Sequence, residues 1–569
     1  MQGNTLLKKV LALLLVLVLT IPLFCTAAPA DAAEPDSGTD YTTVFVHGLM
    51  GWGDEDRISD LLSNWGMLAG DMPTYLRKLN YDVYVASIGP ISSAWDRCCE
   101  LFAQLTGTRV DYGQAHADRH NAEYAGMGYT LQHSRYGRDY TGSPKVADWG
   151  PIYNENGSVI GWYDNKINLV GHSFGGPTSL MFLQLLAEGD PAEREWGMQQ
   201  AAAYGGDWHD YVSPLFWGDY NGQYLVNSIT SLAGVLNGTT FISANKDAMG
   251  ILKDLSALLA NAIGVSDLGP FFDFQLEQFG LTKAPGTDMN AYLSCLNRKG
   301  FIKGTDHAFY DLSIEGTNRL KQGWGTYDNV YYFSYAGDKS YTSLCGNQLP
   351  DPDMWAILLA FSAKMGGYTN ANEFVDNVDG TRYGSIDRSW LVNDGMVNTI
   401  SSRYPMGTAH KAYNVNTIEP GLWNVHPDKN LDHFAFVGGL YIAKPLETKQ
   451  LFRGIMEDIG RTTPVLTPDT EVIPVEQGNR LYAPTVWYAG KTLLGKPILN
   501  WTPVIGAGYY EVYRSTAENG DYTRIATTLT SLHTDLTAKA RTTYYYKVVA
   551  VPASHWLVSS NFSKAVCNK

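Results

Sequence analysis

The sequence is poor in cysteine and in positive charge. Only six of its 569 residues are cysteines, and 42 Lys and Arg stand against 57 Asp and Glu, which gives a formal net charge of −15 at pH 7. So few cysteines exclude the disulfide framework of a small secreted domain, although they leave room for a single bridge. The acidic balance argues against nucleic acid and anionic membranes as partners.

Long apolar runs are also lacking beyond the N-terminus. There, Lys8 and Lys9 precede an apolar run over residues 10–24, and the small-x-small triplet Ala30-Asp31-Ala32 follows it. The run is shorter than the ~20 residues that a membrane-spanning helix needs. We therefore expect a cleaved signal peptide over residues 1–32 and secretion of the mature protein.

Length and composition predict at least two folded domains. A chain of 569 residues exceeds what one hydrophobic core usually holds, and 45% hydrophobic with 17% charged residues is typical of globular proteins. Residues 41–463 alternate β-branched runs with helical patterns, which predicts an α/β domain with a parallel sheet. The strand candidates are YTTVFVHG (41–48), YDVYVASIG (81–89), KINLVGHS (166–173), QYLVNSITSLAG (223–234) and DNVYYFSYAG (328–337), and two helix candidates are DMPTYLRKL (71–79) and TSLMFLQLLAEG (178–189).

The composition and the hydrophobic pattern of the chain change after residue 463. Residues 464–485 are punctuated by proline and lack helical periodicity, which predicts a linker. Residues 486–569 contain the alternating runs ILNWTPVIGAGYYEVY and TYYYKVVAV, typical of strands that face a β-sandwich core. Their apolar positions resemble those of a fibronectin type III module, and an unrelated small β-sandwich is the alternative. The positions that carry this resemblance are Trp501, Tyr544, Tyr546, Val548 and Ala550.

A candidate nucleophile lies in Gly171-His172-Ser173-Phe174-Gly175. In a chain with 57 glycines the G-x-S-x-G pattern alone is weak. Its setting is more specific, because it directly follows the strand candidate INLV and precedes a helical pattern, as in a turn that presents a catalytic serine. A phosphate-binding turn is the alternative, but no Lys-Ser or Lys-Thr follows. The segment therefore predicts Ser173 as a nucleophile.

A serine nucleophile needs a base, a carboxylate and donors for the oxyanion. In this type of site the order along the chain is Ser, Asp or Glu, then His. Asp394 follows the short apolar run WLVN, as expected at the end of a strand, and His433 follows later. Composition alone does not choose His433 over His410 or His426.

The oxyanion donors are expected to be two backbone N–H groups. One belongs to Phe174, directly after the nucleophile, and the other to Leu49 in the loop VHGLMGWG. A plain tight turn between a strand and a helix is the alternative interpretation of that loop.

The chain contains, in this order, the motifs VFVHGLMGWG, GPISSAWDRCCELFAQLTG, VDYGQAHA, INLVGHSFGG, GTDHAFYDLS, WLVNDGMVNT and NLDHFAFVGG. Over residues 41–445 it thereby resembles the bacterial lipase family that includes the thermoalkalophilic Bacillus-type and the staphylococcal enzymes. The resemblance implies an α/β-hydrolase fold with a central, mostly parallel sheet. It places Ser173, Asp394 and His433 on the family's catalytic triad, which decides among the histidines.

The family also carries a structural zinc ion held by two Asp and two His. Matching its motifs gives Asp96 in WDR, His116 in VDYGQAHA and Asp306 in GTD. The resemblance assigns the fourth ligand position to His133 rather than to the nearer His120, because the run SRYGR that follows His133 matches the run that begins after the family's second histidine. The resemblance thus implies a closed Zn²⁺ site that pins an insertion to the core, and no organic cofactor is expected.

Calcium binding and a lid are two further family features. Relatives commonly use two acidic residues just after the catalytic histidine for calcium, whereas this chain has Ala435 and Leu440, so no calcium site is expected. The region that corresponds to residues 249–265 is a lid over the cleft in the family. Its leucines recur at helical spacing, and a plain core helix is the alternative.

These features predict a secreted carboxylic-ester hydrolase that acts on lipid esters at an oil–water interface, and they favour a triacylglycerol lipase. A short-chain carboxylesterase, a phospholipase or an acyltransferase could use the same machinery. A non-catalytic binding protein with this fold should have lost a triad residue, and none is lost. For residues 486–569, contact with a polymer or a cell surface is a hypothesis.

Overall fold

A computed structural model describes the chain over residues 41–147, 149, 151–153, 159–162, 166–218, 222–245, 247–371, 374–375, 382–439, 444–462, 484–492, 495–502, 504, 507–540, 542–552 and 562–568. The predicted signal peptide (1–32) and most of the predicted linker (464–485) lie outside these residues. The chain divides into two compact units, Met1–Leu466 and Thr467–Lys569.

The first unit is organised around a seven-stranded sheet. Its strands are β1 (Thr42–Val46), β2 (Val83–Val85), β3 (Ile167–His172), β4 (Val226–Leu232), β5 (Tyr331–Tyr335), β6 (His410–Ala412) and β7 (Trp423–Val425). They lie in the order β6-β7-β5-β4-β3-β1-β2, and every neighbouring pair is parallel. The predicted parallel α/β sheet is confirmed.

Helices connect and cover these strands. They are α1 (Met72–Arg77), α2 (Ala94–Thr106), α3 (Gln114–Gly126), α4 (Gly175–Glu188), α5 (Pro191–Tyr204), α6 (Thr240–Asn245), α7 (Ala248–Ala262), α8 (Met289–Lys299), α9 (Ala308–Asp311), α10 (Ile314–Lys321), α11 (Ala356–Met365), α12 (Thr399–Arg403) and α13 (Pro445–Gly460). Short antiparallel ribbons pair Arg109–Asp111 with Tyr136–Asp139, Pro151–Tyr153 with Val159–Trp162, Ser340–Thr342 with Gln348–Pro350, and Phe374–Val375 with Arg382–Tyr383.

The central strands are apolar on both faces because both faces are covered. Alternate side chains enter two separate clusters: one contains Phe45, Val170 and Phe333, and the other contains Val44, Leu169 and Tyr332. Helices α1 and α13 contribute to the first cluster, and α2 and α4 to the second. This two-sided burial explains why the middle strands lack a regular alternation of polar and apolar residues in the sequence.

Two local expectations differ from the structure. Strands β6 and β7, at one end of the sheet, were not expected, because each is only three residues long and carries polar residues. Conversely, the expected strand before Asp394 is wrong: Arg388–Trp390 forms a 3₁₀ helix there. The apolar Trp390 packs with Ile314 and Ile386 in a small cluster, so burial of a side chain and not strand pairing explains that run.

The second unit contains two antiparallel sheets. Its strands are β8 (Val486–Lys491), β9 (Pro497–Trp501), β10 (Ala507–Ser515), β11 (Thr523–Thr528), β12 (Leu532–Thr534), β13 (Tyr545–Pro552) and β14 (Val566–Cys567), in the orders β8-β9-β12 and β11-β10-β13-β14. One buried cluster contains residues from both sheets, among them Trp501, Tyr544, Tyr546, Val548 and Ala550. The expected small all-β fold is confirmed.

Two further observations concern cysteines and membrane spans. Cys98, Cys99, Cys295, Cys345 and Cys567 are all unpaired. Among the described residues, no helix combines the length and the apolar character needed to cross a bilayer.

Candidate active site

Ser173 lies in the tight turn between β3 and α4. Its φ of +56° is in the left-handed region, which costs a residue other than glycine about 1–3 kcal/mol. Only glycine fits two residues before Ser173 and two residues after it. A Cβ on Gly171 would lie 2.4 Å from the carbonyl oxygen of Gly175, and one on Gly175 would lie 2.0 Å from that of Val46. The turn therefore presents the serine side chain beyond the C-terminal end of β3.

The imidazole of His433 connects the Ser173 hydroxyl to the carboxylate of Asp394. Ser173 Oγ lies 2.9 Å from Nε2 of His433, and Nδ1 of His433 lies 2.9 Å from Oδ2 of Asp394. All three residues are buried. In this arrangement the imidazole can take a proton from the serine while the carboxylate orients the ring. The structure thus brings together the three residues that the family resemblance selected.

Asp394 is held by its own turn. Its Oδ1 accepts hydrogen bonds from the N–H groups of Met396 (3.0 Å) and Val397 (2.7 Å). The carbonyl oxygen of Asp394 accepts the N–H of His433 at 3.0 Å. Because Oδ1 is already used by two amides, Oδ2 is directed at the imidazole.

His172 lies behind His433 and was not expected to have a role. Its Nε2–H donates to the carbonyl oxygen of His433 at 3.0 Å. Burial, together with the nearby His433, lowers the pKa of His172 well below its usual value, so the ring is neutral at neutral pH. His172 therefore fixes the backbone of the residue that carries the base. The only signal in the sequence is its place directly before Ser173.

The loop after β1 packs closely against the nucleophile. A Cβ on Gly48 would lie 2.6 Å from Cβ of Ser173, so this position requires glycine. Within the described part of the chain, neither the N–H of Leu49 nor that of Phe174 is donated to another protein group. The two expected oxyanion donors thus flank the serine with their hydrogen-bonding capacity unused.

An apolar pocket lies beside Ser173. Its lining includes Trp52, Met67, Val437, Leu255, Leu258 and Leu259. The last three belong to α7, which confirms a helix over most of the expected lid region. The buried leucines of α7 also join the main hydrophobic cluster, so the helix both packs in the core and lines the pocket.

A second cluster of polar side chains lies away from the nucleophile. Asp96, His116, His133 and Asp306 are all buried, and one potential ligand atom from each lies within 4.8 Å of those of the others. The nearby His120 instead pairs with Glu123, with Nδ1 at 2.8 Å from Oε2. Sequence reasoning missed one supporting residue, Gln278, whose amide donates to Oδ2 of Asp96 at 2.8 Å.

The spacing within this cluster fits a four-coordinate metal ion. Nε2 of His116 lies 3.4 Å from Asp96 Oδ1 and 3.3 Å from Asp306 Oδ2. Nε2 of His133 lies 3.3 and 3.5 Å from the same two oxygens. Ligands bound at ~2.1 Å to a tetrahedral Zn²⁺ lie ~3.4 Å apart. The donor set therefore fits a metal ion.

The expected absence of calcium remains a prediction. Ala435 lies in a 3₁₀ helix directly after the His433 turn, and Leu440 lies outside the described residues. Calcium is a hard cation that needs oxygen ligands, and the side chains of Ala435 and Leu440 contain no oxygen.

Comparison with known proteins places the chain in a family. The family model described as "Lipase-like, C-terminal domain" matches residues 39–470. The chain belongs to this lipase family. A lipase of Staphylococcus epidermidis is 32% identical over 400 residues, which cover 69% of this chain and 49% of that protein. The chain thus spans about half the length of the curated relatives it matches.

Solved structures of the family agree with the fold. EstA from Clostridium botulinum is 30% identical, with a TM-score of 0.60 over 76% of this chain and 89% of that chain. Lipase 1 from Pelosinus fermentans is 33% identical, with a TM-score of 0.58 over 74% and 99% of the two chains. Together with the parallel sheet, these similarities confirm the α/β-hydrolase fold that the motifs implied.

Proposed function

We propose that this protein is a secreted carboxylic-ester hydrolase whose preferred substrates are triacylglycerols. The observation that carries the proposal is the hydrogen-bonded chain from Ser173 through His433 to Asp394, with both links at 2.9 Å. Family membership supports the same reaction class. A lost triad residue would have favoured a binding protein, and none is lost.

In this mechanism Ser173 Oγ attacks the ester carbonyl carbon while Nε2 of His433 takes the hydroxyl proton. The N–H groups of Leu49 and Phe174 stabilise the oxyanion, and Asp394 stabilises the imidazolium. Collapse of the intermediate breaks the ester C–O bond, and the leaving alcohol takes the proton from His433. Water then attacks the acyl-serine with His433 as base, releasing the carboxylic acid and restoring Ser173.

The four buried side chains that could hold a metal ion have a structural role in this proposal. Asp96, His116, His133 and Asp306 would hold Zn²⁺, which supplies positive charge to the two carboxylates and leaves no ligand position for a reacting water. The side chains come from α2, from α3, from the segment before the Tyr136–Asp139 strand and from the segment before α9. Their common ligation would fix these segments to one another.

The apolar pocket supports substrates with acyl chains longer than butyrate. Each methylene that becomes buried contributes about 0.8 kcal/mol, or roughly fourfold in kcat/KM. With p-nitrophenyl esters, kcat/KM should therefore rise beyond butyrate until the pocket is filled, and emulsified triacylglycerol should be hydrolysed. A Ser173→Ala sample prepared in parallel controls for contaminating esterases.

The alternatives give different results in the same assays. If no ester longer than butyrate is hydrolysed, the lipase proposal is wrong and a short-chain carboxylesterase remains. Faster release of fatty acid from phosphatidylcholine vesicles than from triacylglycerol would indicate a phospholipase. Ester formation with added alcohol that exceeds hydrolysis would indicate an acyltransferase.

Helix α7 is proposed to be a lid that opens at a lipid surface. Leu255→Ser should weaken the closed arrangement, because Leu255 is buried and lines the pocket. We expect the rate on a dissolved butyrate ester to rise several-fold, since each 1.4 kcal/mol shifts the open fraction about tenfold. Ala257→Ser changes the exposed face of the same helix and should leave the rate unchanged. An unchanged rate in Leu255→Ser would contradict the lid.

The remaining proposals concern the division of the chain into segments and the role of the C-terminal module. We infer a signal peptide over residues 1–32, a hydrolase domain over 41–463, a linker over 464–485 and a fibronectin type III-like module over 486–569. The core shared by the two C-terminal sheets supports the last of these. The module would contact a polymer or a cell surface.

A further inference from the structure

Arg97 is a fully buried arginine in α2. Its Nε–H donates to Oγ1 of Thr178 at 3.0 Å, one terminal nitrogen donates to the carbonyl oxygen of Gly89 at 2.9 Å, and the other donates to that of His47. No carboxylate among the described residues lies within ion-pairing distance of it. Its three hydrogen-bond acceptors are neutral, and the carboxyl groups of Glu100 and Asp311 act on it electrostatically without a direct contact. A buried charge without a directly paired carboxylate is costly, so packing alone does not explain this residue.

The first group of contacts holds the segment that carries the Leu49 N–H. His47, an acceptor of Arg97, lies two residues before Leu49. Gly89, the other carbonyl acceptor, directly precedes Pro90, whose carbonyl oxygen accepts the N–H of Met50 at 2.9 Å. Arg97 therefore fixes the backbone before Leu49 directly and the backbone after it through the turn at residues 89–90.

The second group of contacts holds Phe174. Cζ of Arg97 lies 4.8 Å from the centroid of the Phe174 ring, at cation–π distance. Thr178, which accepts the Nε–H of Arg97, donates its own hydroxyl to the carbonyl oxygen of Phe174 at 2.9 Å. The residue after the nucleophile is thus fixed at its ring and at its backbone.

We propose that Arg97 is the positioning residue of the oxyanion hole. One guanidinium holds the two segments whose N–H groups must converge where the tetrahedral intermediate carries its negative oxygen. Its positive charge also lies in a region closed to water, where it favours that oxygen. The proposal deepens the proposed function and rests on it, because only acyl transfer to Ser173 creates this oxyanion.

Lysine is a poor substitute at such a position. The planar guanidinium of Arg97 directs donors along fixed, diverging directions, whereas an ammonium is a single point of charge. Arg97→Lys therefore keeps the charge but not the simultaneous contacts, and Arg97→Met keeps only the apolar stem. The two variants separate the contribution of charge from that of geometry.

The test measures steady-state kinetics and transition-state affinity together. We expect Arg97→Met to lower kcat about 10–100-fold, since removing a direct oxyanion donor costs about 100–1000-fold and this change acts indirectly. KM should change by less than about threefold, because the ground-state ester does not need the oxyanion donors. Arg97→Lys should recover part of the loss.

A boronic acid inhibitor distinguishes positioning from general destabilisation. Its adduct with Ser173 is a tetrahedral anion, so its Ki should rise by about the same factor as kcat/KM falls. Titration with a fluorophosphonate gives the fraction of folded, active protein, to which kcat is normalised. A merely structural role would lower that fraction and leave the Ki unchanged.

The chain offers a control arginine and a second variant. Arg194 also donates to backbone carbonyls, those of Glu188 and Trp217, but lies away from the oxyanion segments, so Arg194→Met should keep wild-type kcat and Ki. If the Arg97 variants do not fold, Thr178→Val removes the hydroxyl that joins Arg97 to Phe174. It should lower kcat several-fold and raise the boronate Ki in parallel.

Two outcomes separate this inference from the proposed function. Wild-type kcat and boronate Ki in folded Arg97→Met, or in Thr178→Val if Arg97→Met does not fold, would overturn the role of Arg97. The hydrolase itself would remain. If the wild-type protein neither hydrolyses esters nor takes the fluorophosphonate on Ser173, the proposed function fails first and the role of Arg97 fails with it.

Discussion

Ser173→Ala should lower kcat for ester hydrolysis by about a million-fold, because the acyl-enzyme route is lost when the nucleophilic oxygen is removed. The fold should persist. Alanine has the same left-handed backbone cost at φ +56°, and the hydroxyl contributes one hydrogen bond, to His433. The melting temperature should therefore change by only a few degrees. The measurements are kcat on a p-nitrophenyl ester, thermal unfolding, and mapping of the peptide labelled by a fluorophosphonate.

Ser362 provides the matched control for this substitution. It is a buried serine in α11, and its hydroxyl has no hydrogen-bond partner in the described part of the chain. Ser362→Ala should leave kcat and the melting temperature unchanged. Hydrolysis that survives in Ser173→Ala, with the label on another residue, would identify a different nucleophile and defeat the proposed mechanism.

The centre of the sheet and its β2 edge could be predicted from sequence, whereas the opposite end, β6 and β7, could not. Strands β3, β4 and β5 are buried on both faces, so almost every residue in them is apolar or small, and the pattern is visible without any other information. Strands β6 and β7 have three residues each. Their assignment depends on the pairing of β7 with β5 and of β6 with β7, which a local pattern does not encode.

The three residues of the proposed triad also differ in how far a local pattern predicts them. Ser173 is marked by local chemistry, because a turn this tight needs glycines at fixed positions beside it. Asp394 and His433 are placed by the tertiary fold on separate loops, and only the order of family motifs distinguished His433 from His410 and His426. The local expectation for Asp394 was wrong about the strand, although Asp394 does lie in hydrogen-bonding contact with His433.

Residues that act on the backbone of their partners leave the weakest signal in the sequence. His172 donates to the carbonyl oxygen of His433, and Arg97 donates to the carbonyl oxygens of His47 and Gly89. Neither contact requires a particular partner side chain at the acceptor position. For Arg97, the family motif that contains it draws attention to Asp96 next to it, so the role of the arginine becomes visible only in the structure.

Removal of the proposed zinc ion should lower the melting temperature by about 10 °C or more, since structural zinc contributes about 10–16 kcal/mol to the folding of zinc-finger peptides. The physical reason is that the carboxylates of Asp96 and Asp306 are buried close together. Asp96 Oδ1 lies 3.4 Å and Asp306 Oδ2 lies 3.3 Å from Nε2 of His116. Without a cation, these groups are desolvated and repel each other. Elemental analysis should find about one zinc ion per chain, and dialysis against EDTA should remove it together with the stability.

A pair of histidine variants tests the ligand set itself. His133 and His120 are both buried near His116, but only His133 directs Nε2 at Asp96 and Asp306, whereas His120 pairs with Glu123. Both alanine variants lose a buried ring of the same size, so any difference in bound metal reports ligation. His133→Ala should be isolated without stoichiometric zinc, and His120→Ala should retain it. Metal loss in His120→Ala alone would reassign the fourth ligand, and a metal-free wild-type protein that melts unchanged in EDTA would remove the zinc site from this protein.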